Sequence, residues 1–287
     1  IYVSWSPESL SVLSMSTPRA RHAAAVLPDG RVRIAGGWTG KGYTKRGEIL
    51  DPETKQWKPA GEMSEATTTL IGITLKDTSV LMTGGGNTEI FDPSSNSFLP
   101  VAKTQEEYYL AALLENGSVL MIGGQGKNDN VLDEAAIFDP TTGKIRKTNA
   151  MNTPRVKHAA VLLNDGRIMI IGGSDKRAYQ GRYTGTEFFD PKSKQFSRGP
   201  EMNFKRHKIR DAVVKMDSGK ILIAGGATKP ELFDPESGKI TPIEGQLSGP
   251  QMFATATLLP DGNVLILGGY DERIRTTDTA WLVRALK

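Results

Sequence analysis

The stretch DGRIMIIGG, residues 165–173, decides the fold because variants of it recur along the chain. It consists of a turn dipeptide, a short apolar run and a pair of glycines. An Asp-Gly step before an apolar run is a strong hairpin signal, since the type I′ turn needs positive φ at its central residues. Glycine pairs close such runs at residues 36–37, 84–85, 123–124, 172–173, 225–226 and 268–269. The sequence therefore predicts six copies of one β-rich unit.

A second landmark, Asp-Pro, follows all but the last of the glycine pairs. It occurs at residues 51–52, 92–93, 139–140, 190–191 and 234–235. Proline cannot donate to a strand ladder, so Asp-Pro should end one strand and begin a turn. A large apolar residue stands six positions after each of these aspartates, at Trp57, Phe98, Ile145, Phe196 and Ile240. Each unit therefore reads as four short strands.

These units resemble the kelch repeat. Their residue patterns are most similar to those of bacterial kelch proteins and galactose-oxidase-like propellers. The resemblance covers nearly the whole chain and implies an all-β fold, a six-bladed kelch-type β-propeller with one four-stranded antiparallel sheet per blade. We predict a single domain over residues 1–287. The sixth unit lacks an outer strand of its own, and we expect residues 10–15 to supply it and close the ring. Residues 1–9 are either an extra strand or a loose lead-in.

Composition narrows the classes of function. The chain has 287 residues, 31 glycines, no cysteine and a formal net charge of +4. The absence of cysteine excludes a disulfide framework, a cysteine nucleophile and a thiolate zinc site. The resemblance to galactose oxidase implies a copper site with a tyrosine cross-linked to cysteine, so we expect that radical chemistry to be absent. We predict no cofactor, no metal, no nucleic-acid partner and no membrane insertion. We also expect the propeller to be monomeric or to be part of a larger chain or assembly.

One face of the predicted propeller varies more than the rest. From the second glycine of a pair to the aspartate of Asp-Pro the intervals are 14, 7, 15, 17 and 8 residues. The variation lies in the loop between the second and third strands, which shares a face with the connections between blades. Because function usually lies on variable loops held by a rigid scaffold, this face is the predicted binding face.

Basic residues before the inner strands are the first candidate ligand-binding residues. Arg19, Arg155 and Arg206 stand in equivalent positions, and we place Arg21, Lys157 and Arg210 nearer the pocket. Arginine suits carboxylates and sulfates, which favours an acidic ligand. Architecture is the alternative, because a glutamate stands three residues before most of the Asp-Pro aspartates and could pair with the repeated arginines. Those glutamates are Glu48, Glu89, Glu187 and Glu231.

Aromatic residues on the long loops are the second set of candidates: Trp38, Tyr43, Tyr179, Tyr183 and Tyr270. Rings on exposed loops favour sugar stacking or protein contact. The alternative is that each ring folds down over its own loop and covers apolar backbone.

The predicted function is a binding module that recognises a protein partner or a glycan on the variable-loop face, with an acidic ligand favoured by the basic residues. We expect an extracytoplasmic bacterial setting, periplasmic, secreted or at the cell surface. The alternative is a carbohydrate-active enzyme, epimerase- or lyase-like, with acid–base residues at the tunnel mouth, where His22 and His158 are the residues to change. No catalytic residue is assigned, because no side chain stands out as a specific base.

Overall fold

The computed structural model describes residues 15–17, 19, 22–27, 29–39, 41–51, 53–54, 56–67, 71–84, 86–103, 107–259, 261–275 and 280–284. The fold class is all-β, a kelch-type β-propeller built from antiparallel sheets that follow one another along the chain. The chain forms two compact units, residues 1–104 and 105–287. The organisation of residues 1–287 as a single domain stays a prediction.

The first unit contains two four-stranded sheets, each with its strands in chain order. Sheet 1 consists of β1 (Ala23–Val26), β2 (Val32–Ala35), β3 (Arg46–Asp51) and β4 (Gln56–Glu62). Sheet 2 consists of β5 (Ile71–Thr74), β6 (Val80–Gly84), β7 (Asn87–Asp92) and β8 (Ser97–Lys103).

The second unit contains the other sheets. Sheet 3 consists of β9 (Glu107–Leu113), β10 (Val119–Gln125), β11 (Val131–Asp139) and β12 (Lys144–Lys147), with a 3₁₀ turn at Lys127–Asp129. Sheet 4 consists of β13 (Ala159–Leu162), β14 (Ile168–Ile171), β15 (Thr186–Asp190) and β16 (Gln195–Arg198). Sheet 5 consists of β17 (Val213–Lys215), β18 (Ile221–Ile223), β19 (Glu231–Asp234) and β20 (Lys239–Pro242). Sheet 6 consists of β21 (Thr255–Leu258), β22 (Val264–Leu267) and β23 (Ala280–Val283).

Sheet 6 has three strands among the described residues, in the order β21-β22-β23. The predicted fourth strand, at residues 10–15, falls outside the described residues except for Met15. Within the described part of the chain, no helix is both long and apolar enough to cross a membrane.

The hairpin and Asp-Pro signals are both confirmed, although the turn at the opening stretch is not type I′, because Gly166 has positive φ and Asp165 does not. At the opening stretch, β13 pairs with β14, Leu163 N donates to Arg167 O at 2.9 Å, and Gly166 has φ of 84°. Asp190 then ends β15, and its carboxylate accepts from Lys192 N at 2.8 Å and Ser193 Oγ at 2.9 Å. The aspartate therefore closes the turn with its own side chain, as Asx turns do.

The large apolar residues beyond Asp-Pro pack across the sheet onto the residue that precedes the aspartate. The register gives Leu50–Trp57, Phe91–Phe98, Phe138–Ile145, Phe189–Phe196 and Phe233–Ile240 as cross-strand partners. The rings of Phe189 and Phe196 lie 4.8 Å apart. Such pairs stabilise sheets by burying apolar area and by favourable ring contacts.

Glycine pairs join neighbouring sheets within each of the two units. Gly124 N donates to Arg155 O at 3.1 Å, and Gly173 N donates to Arg206 O at 2.8 Å. A Cβ on Gly172 would lie 2.6 Å from Arg206 O, and φ is 60° at this residue. Glycine is therefore required both by the left-handed backbone and by the approach of the neighbouring connection. The repeat marks the positions where blades are joined.

Candidate functional site

Three arginines that precede the inner strands are buried in ion pairs within their own sheets. The pairs are Arg19–Glu48 at 2.7 Å, Arg155–Glu187 at 2.7 Å and Arg206–Glu231 at 2.9 Å. No side chain in these pairs is more than 3% exposed. The pairing of repeated arginines with repeated glutamates, the architectural alternative, is therefore what the structure shows.

Each of these arginines also donates to backbone carbonyls at the loop between the second and third strands of its own sheet. Arg155 Nη1 donates to the carbonyls of Gly172 at 2.6 Å and Gly185 at 3.1 Å. Its partner Glu187 accepts from the backbone N and the side-chain Nδ2 of Asn152 at 2.7 and 2.9 Å. A ligand could reach such a guanidinium only by breaking this network. We therefore leave Arg19, Arg155 and Arg206 out of the candidate site.

Three residues form a row along the connections that lead into sheets 4, 5 and 6. Lys157 and Lys208 stand two positions after the buried Arg155 and Arg206, and Phe253 stands two positions after the buried Gln251. Lys157, Lys208 and Phe253 all have left-handed backbones, with φ of 60°, 57° and 56°. Lys208 N donates to Lys157 O at 2.7 Å, and Phe253 N donates to Lys208 O at 2.8 Å. A left-handed conformation costs a residue with a Cβ about 1–2 kcal/mol, so these hydrogen bonds help to hold it.

Lys208, and not Arg210, occupies the position that corresponds to Lys157. Arg210 lies two residues further along, and its Nε atom is 3.5 Å from Asp211 Oδ2. Lys208 is the residue in register with Lys157, because both stand two residues after a buried arginine. Arg21, which has the same spacing from Arg19, lies outside the described residues.

Lys208 joins two aromatic rings. Its Nζ atom donates to the hydroxyl of Tyr270 at 2.7 Å and lies 5.0 Å from the centre of that ring. Phe253 lies on the other side, with its ring 5.6 Å from the same Nζ atom and 5.8 Å from the Tyr270 ring. The Phe253 side chain is 49% exposed. A cation fixed between two rings of this kind gains about 0.5–1 kcal/mol per contact at exposed sites.

The long loop of sheet 4 brings a second cation and ring. The Arg182 guanidinium lies 3.7 Å over the centre of the Tyr179 ring. The Tyr179 hydroxyl donates to Glu272, from the long loop of sheet 6. The same tyrosine ring stands edge-on to His207, with centroids 6.0 Å apart.

His207 lies in the middle of these groups and is fully buried. Burial, followed by the charges of Lys208, Arg182 and Lys157, lowers the pKa of His207 to about 3. Among the described residues, neither ring nitrogen has a hydrogen-bond partner. The imidazole is therefore neutral at physiological pH. The positive charges of Lys157, Arg182 and Lys208, which come from three separate segments, all act on the His207 imidazole.

These residues are named the basic–aromatic cluster: Lys157, Tyr179, Arg182, His207, Lys208, Phe253 and Tyr270. Within the part of the chain that the structure describes, no carboxylate lies in ion-pair range of Arg182 or Lys208. An acidic group does contact the cluster, since Glu272 accepts from the Tyr179 hydroxyl. The cluster is therefore an electropositive surface with apolar rings, a surface that suits an acidic ligand.

The other predicted aromatics lie elsewhere. Tyr183 is half-buried, with its ring 5.6 Å from the Arg155 guanidinium, and burial followed by the charge of Asp175 raises its pKa. Trp38 and Tyr43 belong to the first unit. Their rings meet edge to face at 5.3 Å and are 41% and 55% exposed. They do not fold down over their loop, so a contact role for this pair stays a prediction.

The histidines named for the enzyme alternative have different settings. His158 is fully buried, and burial followed by the charge of Arg155 lowers its pKa to about 3. A Cβ on Gly123 would lie 2.9 Å from His158 Cε1, so the ring packs against a strand-ending glycine. Burial, then Arg19, also lowers the pKa of His22. A general acid–base group works best with a pKa near the operating pH, which neither shift favours.

Sequence reasoning missed Lys208, Phe253, Arg182 and His207 as members of one site. Counting two residues on from the repeated arginine Arg206 would have selected Lys208, whereas Phe253 follows Gln251 and carries no such signal. Arg182 and His207 carry no such signal, because the contact of Arg182 with Tyr179 and the burial of His207 arise from loop conformation.

The residues present do not fit a copper-radical centre. Such a centre needs a tyrosine cross-linked to cysteine, and these 287 residues include no cysteine. In the described ranges, no group of three His, Asp or Glu side chains is placed to hold a metal ion. No step involving copper is derived for this chain.

Comparison with known proteins defines the class. Residues 18–64 and 155–203 match the model of the Kelch motif, which confirms the resemblance seen in the repeats. Two stretches of the chain therefore carry the Kelch motif, and the fold is similar to that of galactose-oxidase-like propellers.

A solved structure with a similar fold is a novel fungal alcohol oxidase of the AA5 family, in complex with copper. The TM-score is 0.73 at 21% sequence identity, over 88% of this chain and 58% of that chain. This likeness shows the fold alone, and the chain spans less than two thirds of the oxidase. No curated protein matches the sequence.

The buried histidines give the protein a pH-dependent stability. In the native protein His158 and His207 have pKa values of about 3, whereas the ordinary pKa of histidine is 6.5. The unfolded chain therefore binds protons that the native state does not, and stability present above pH 6.5 is lost as the pH falls below it. Between pH 6.5 and pH 5 we expect a loss of about 2 kcal/mol per histidine.

Urea unfolding of the wild type and of His207→Gln, at pH 7.5 and pH 5, measures this effect. The variant should lose less stability over the interval than the wild type. Equal losses in the two proteins would show that His207 does not carry the effect.

Proposed function

We propose that this protein is a binding module whose basic–aromatic cluster recognises an acidic segment of a protein partner. The observation that carries the proposal is the convergence of Lys157, Arg182 and Lys208 from three separate segments around one buried histidine. No carboxylate in the described residues neutralises Arg182 or Lys208. Electropositive surfaces of this kind steer acidic partners and set specificity.

The rings supply the apolar part of such an interface. Phe253 is exposed at the surface, and Tyr270 is fixed beside it by the hydrogen bond from Lys208. Aromatic and arginine side chains are enriched among the residues that dominate binding energy. An acidic segment carrying an apolar side chain would contact both features at once.

Kelch repeats usually mediate protein interactions, which favours a protein over a glycan as the partner. The extracytoplasmic bacterial setting stays a prediction and does not enter this proposal. The acid–base enzyme hypothesis gains no support from His158, which is buried and neutral.

The test is a binding screen with the wild-type chain and three charge-reversal variants. The probes are an array of Asp/Glu-rich peptides, matched Asn/Gln peptides and a glycan array. The variants are Lys157→Glu, Lys208→Glu and the control Lys239→Glu, an exposed lysine on the outer strand of sheet 5.

We expect acidic peptides to bind the wild type and Lys239→Glu and to lose at least about tenfold in affinity with each cluster variant. Binding should weaken as salt is raised. Equal binding of acidic and neutral peptides, or selective binding to the glycan array, would overturn the proposal of an acidic protein ligand.

A further inference from the structure

A second electropositive pocket lies beside sheet 4, outside the basic–aromatic cluster except for one shared residue. Its volume is 460 Å³, and its walls come from the long loop of sheet 4, from β15 and β16 and from the two connections flanking the sheet. Besides buried Arg155, four cations from three separate segments line it: Arg177, Arg182, Arg198 and Lys205. This volume lies within the range of small-molecule sites.

The charges of this pocket are poorly balanced by the protein. Arg177 pairs with Asp175, at 2.5 Å. For Arg182, Arg198 and Lys205, no carboxylate lies in ion-pair range within the described ranges. The pocket therefore carries several positive charges without acidic partners.

Two carboxylates also line the pocket, and they offset only part of this excess. Glu187 is bound to buried Arg155. Glu201 is exposed and accepts from the Thr184 hydroxyl. Removal of the Glu201 charge should therefore strengthen binding of an anion.

Arg182 also lacks an acceptor. Its Nε atom is buried and has no hydrogen-bond partner among the described residues, while the guanidinium lies over the Tyr179 ring. A buried donor without an acceptor costs about 1–3 kcal/mol, so an anion that reached this atom would relieve that cost. Gln180 lines the same pocket and offers an uncharged donor.

We propose that this pocket binds the phosphate group of a small phosphate monoester. Arginine forks match phosphate oxygens in geometry, and several unpaired cations favour a group with more than one negative charge. A phosphate monoester carries about −1.5 to −2 at pH 7, whereas a carboxylate carries one charge. The pocket volume admits a sugar-sized body beyond the phosphate.

The test is titration of the whole isotope-labelled chain, followed by NMR peak shifts. The probes are inorganic phosphate, a hexose phosphate, phosphoserine, the parent hexose and acetate, at equal ionic strength. The variants are Arg198→Gln with Lys205→Gln, then Glu201→Gln, and the control Arg146→Gln, an exposed arginine on the outer strand of sheet 3 that lines a different pocket.

We expect inorganic phosphate and at least one ester to bind more tightly than acetate or the parent hexose. The double variant should lose at least about tenfold in affinity, Glu201→Gln should gain, and Arg146→Gln should match the wild type. Affinity for the esters should fall from pH 7.5 to pH 5 as the second charge is lost. Which ester binds better identifies the body that carries the phosphate.

Acetate binding as tightly as phosphate, or an unchanged affinity in the double variant, would overturn this assignment. Arg198 and Lys205 lie outside the basic–aromatic cluster, and Lys157 and Lys208 are not among the residues that line the pocket. Failure of this proposal is therefore distinguishable from failure of the proposed function.

Discussion

Replacement of Glu231 by alanine should lower the free energy of unfolding by about 3–5 kcal/mol. Glu231 and Arg206 have no exposed surface, and their charges meet at 2.9 Å. Without the carboxylate, the guanidinium remains buried and uncompensated, and Asn203 loses the acceptor of its backbone N and side-chain Nδ2. Urea unfolding, followed by circular dichroism, measures the loss.

Glu236→Ala is the control, because Glu236 is exposed in the turn after the same strand. It should change stability by no more than about 0.5 kcal/mol. Replacing both partners, as Arg206→Met with Glu231→Leu, should recover much of the loss, since well-packed apolar residues often substitute for a buried pair. Equal stability of Glu231→Ala and Glu236→Ala would contradict the assigned role of the pair.

Replacement of Gly172 by alanine should also destabilise strongly, by about 2–5 kcal/mol. The new Cβ would lie 2.6 Å from Arg206 O, a backbone atom that cannot turn aside, and 3.2 Å from Met202 Cε. The φ of 60° adds the cost of a left-handed backbone. Thermal or urea unfolding of the variant measures the sum of the two effects.

Gly238→Ala separates these effects. Gly238 has φ of 68°, and a Cβ there would have no heavy atom within 4 Å. This variant should lose only about 1–2 kcal/mol, the cost of the left-handed conformation alone. If the two variants lost the same amount, the close approach of the neighbouring connection at Gly172 would carry no energetic weight.

The fold could be predicted from the sequence because the same local constraints recur in every unit. A glycine such as Gly172 is required at a fixed distance after a hairpin turn, and an aspartate such as Asp190 caps the turn that follows. Each constraint involves residues that are close along the chain or at equivalent places in neighbouring units. Periodicity therefore reveals them without any knowledge of tertiary structure.

The candidate site could be predicted only in part. The long loops and the basic connections drew attention to the right segments, and Lys157, Tyr179 and Tyr270 lie in the cluster. The prediction named Arg210, whose role stays a prediction, and did not select Lys208, the residue in register with Lys157. A non-glycine residue with a left-handed backbone gives little warning in sequence, and Lys208 is such a residue.

Burial explains the other difference. Arg155 and the equivalent Arg19 and Arg206 have the side chain expected of a residue that binds an acidic ligand. In the structure, however, each forms an ion pair with the glutamate that stands three residues before Asp-Pro. A sequence can show that both partners recur, but it does not show which of them faces solvent. Side-chain exposure, which follows from packing, decides between the two interpretations.

The most direct measurement of the central claim is the dissociation constant of the strongest acidic peptide from the screen. It would be determined for the wild type, for the Lys157→Glu and Lys208→Glu double variant, and for Lys239→Glu, by isothermal titration calorimetry. We expect the double variant to bind at least about a hundredfold more weakly, with Lys239→Glu unchanged. Equal affinity of all three proteins for the peptide would contradict the assignment of binding to the basic–aromatic cluster.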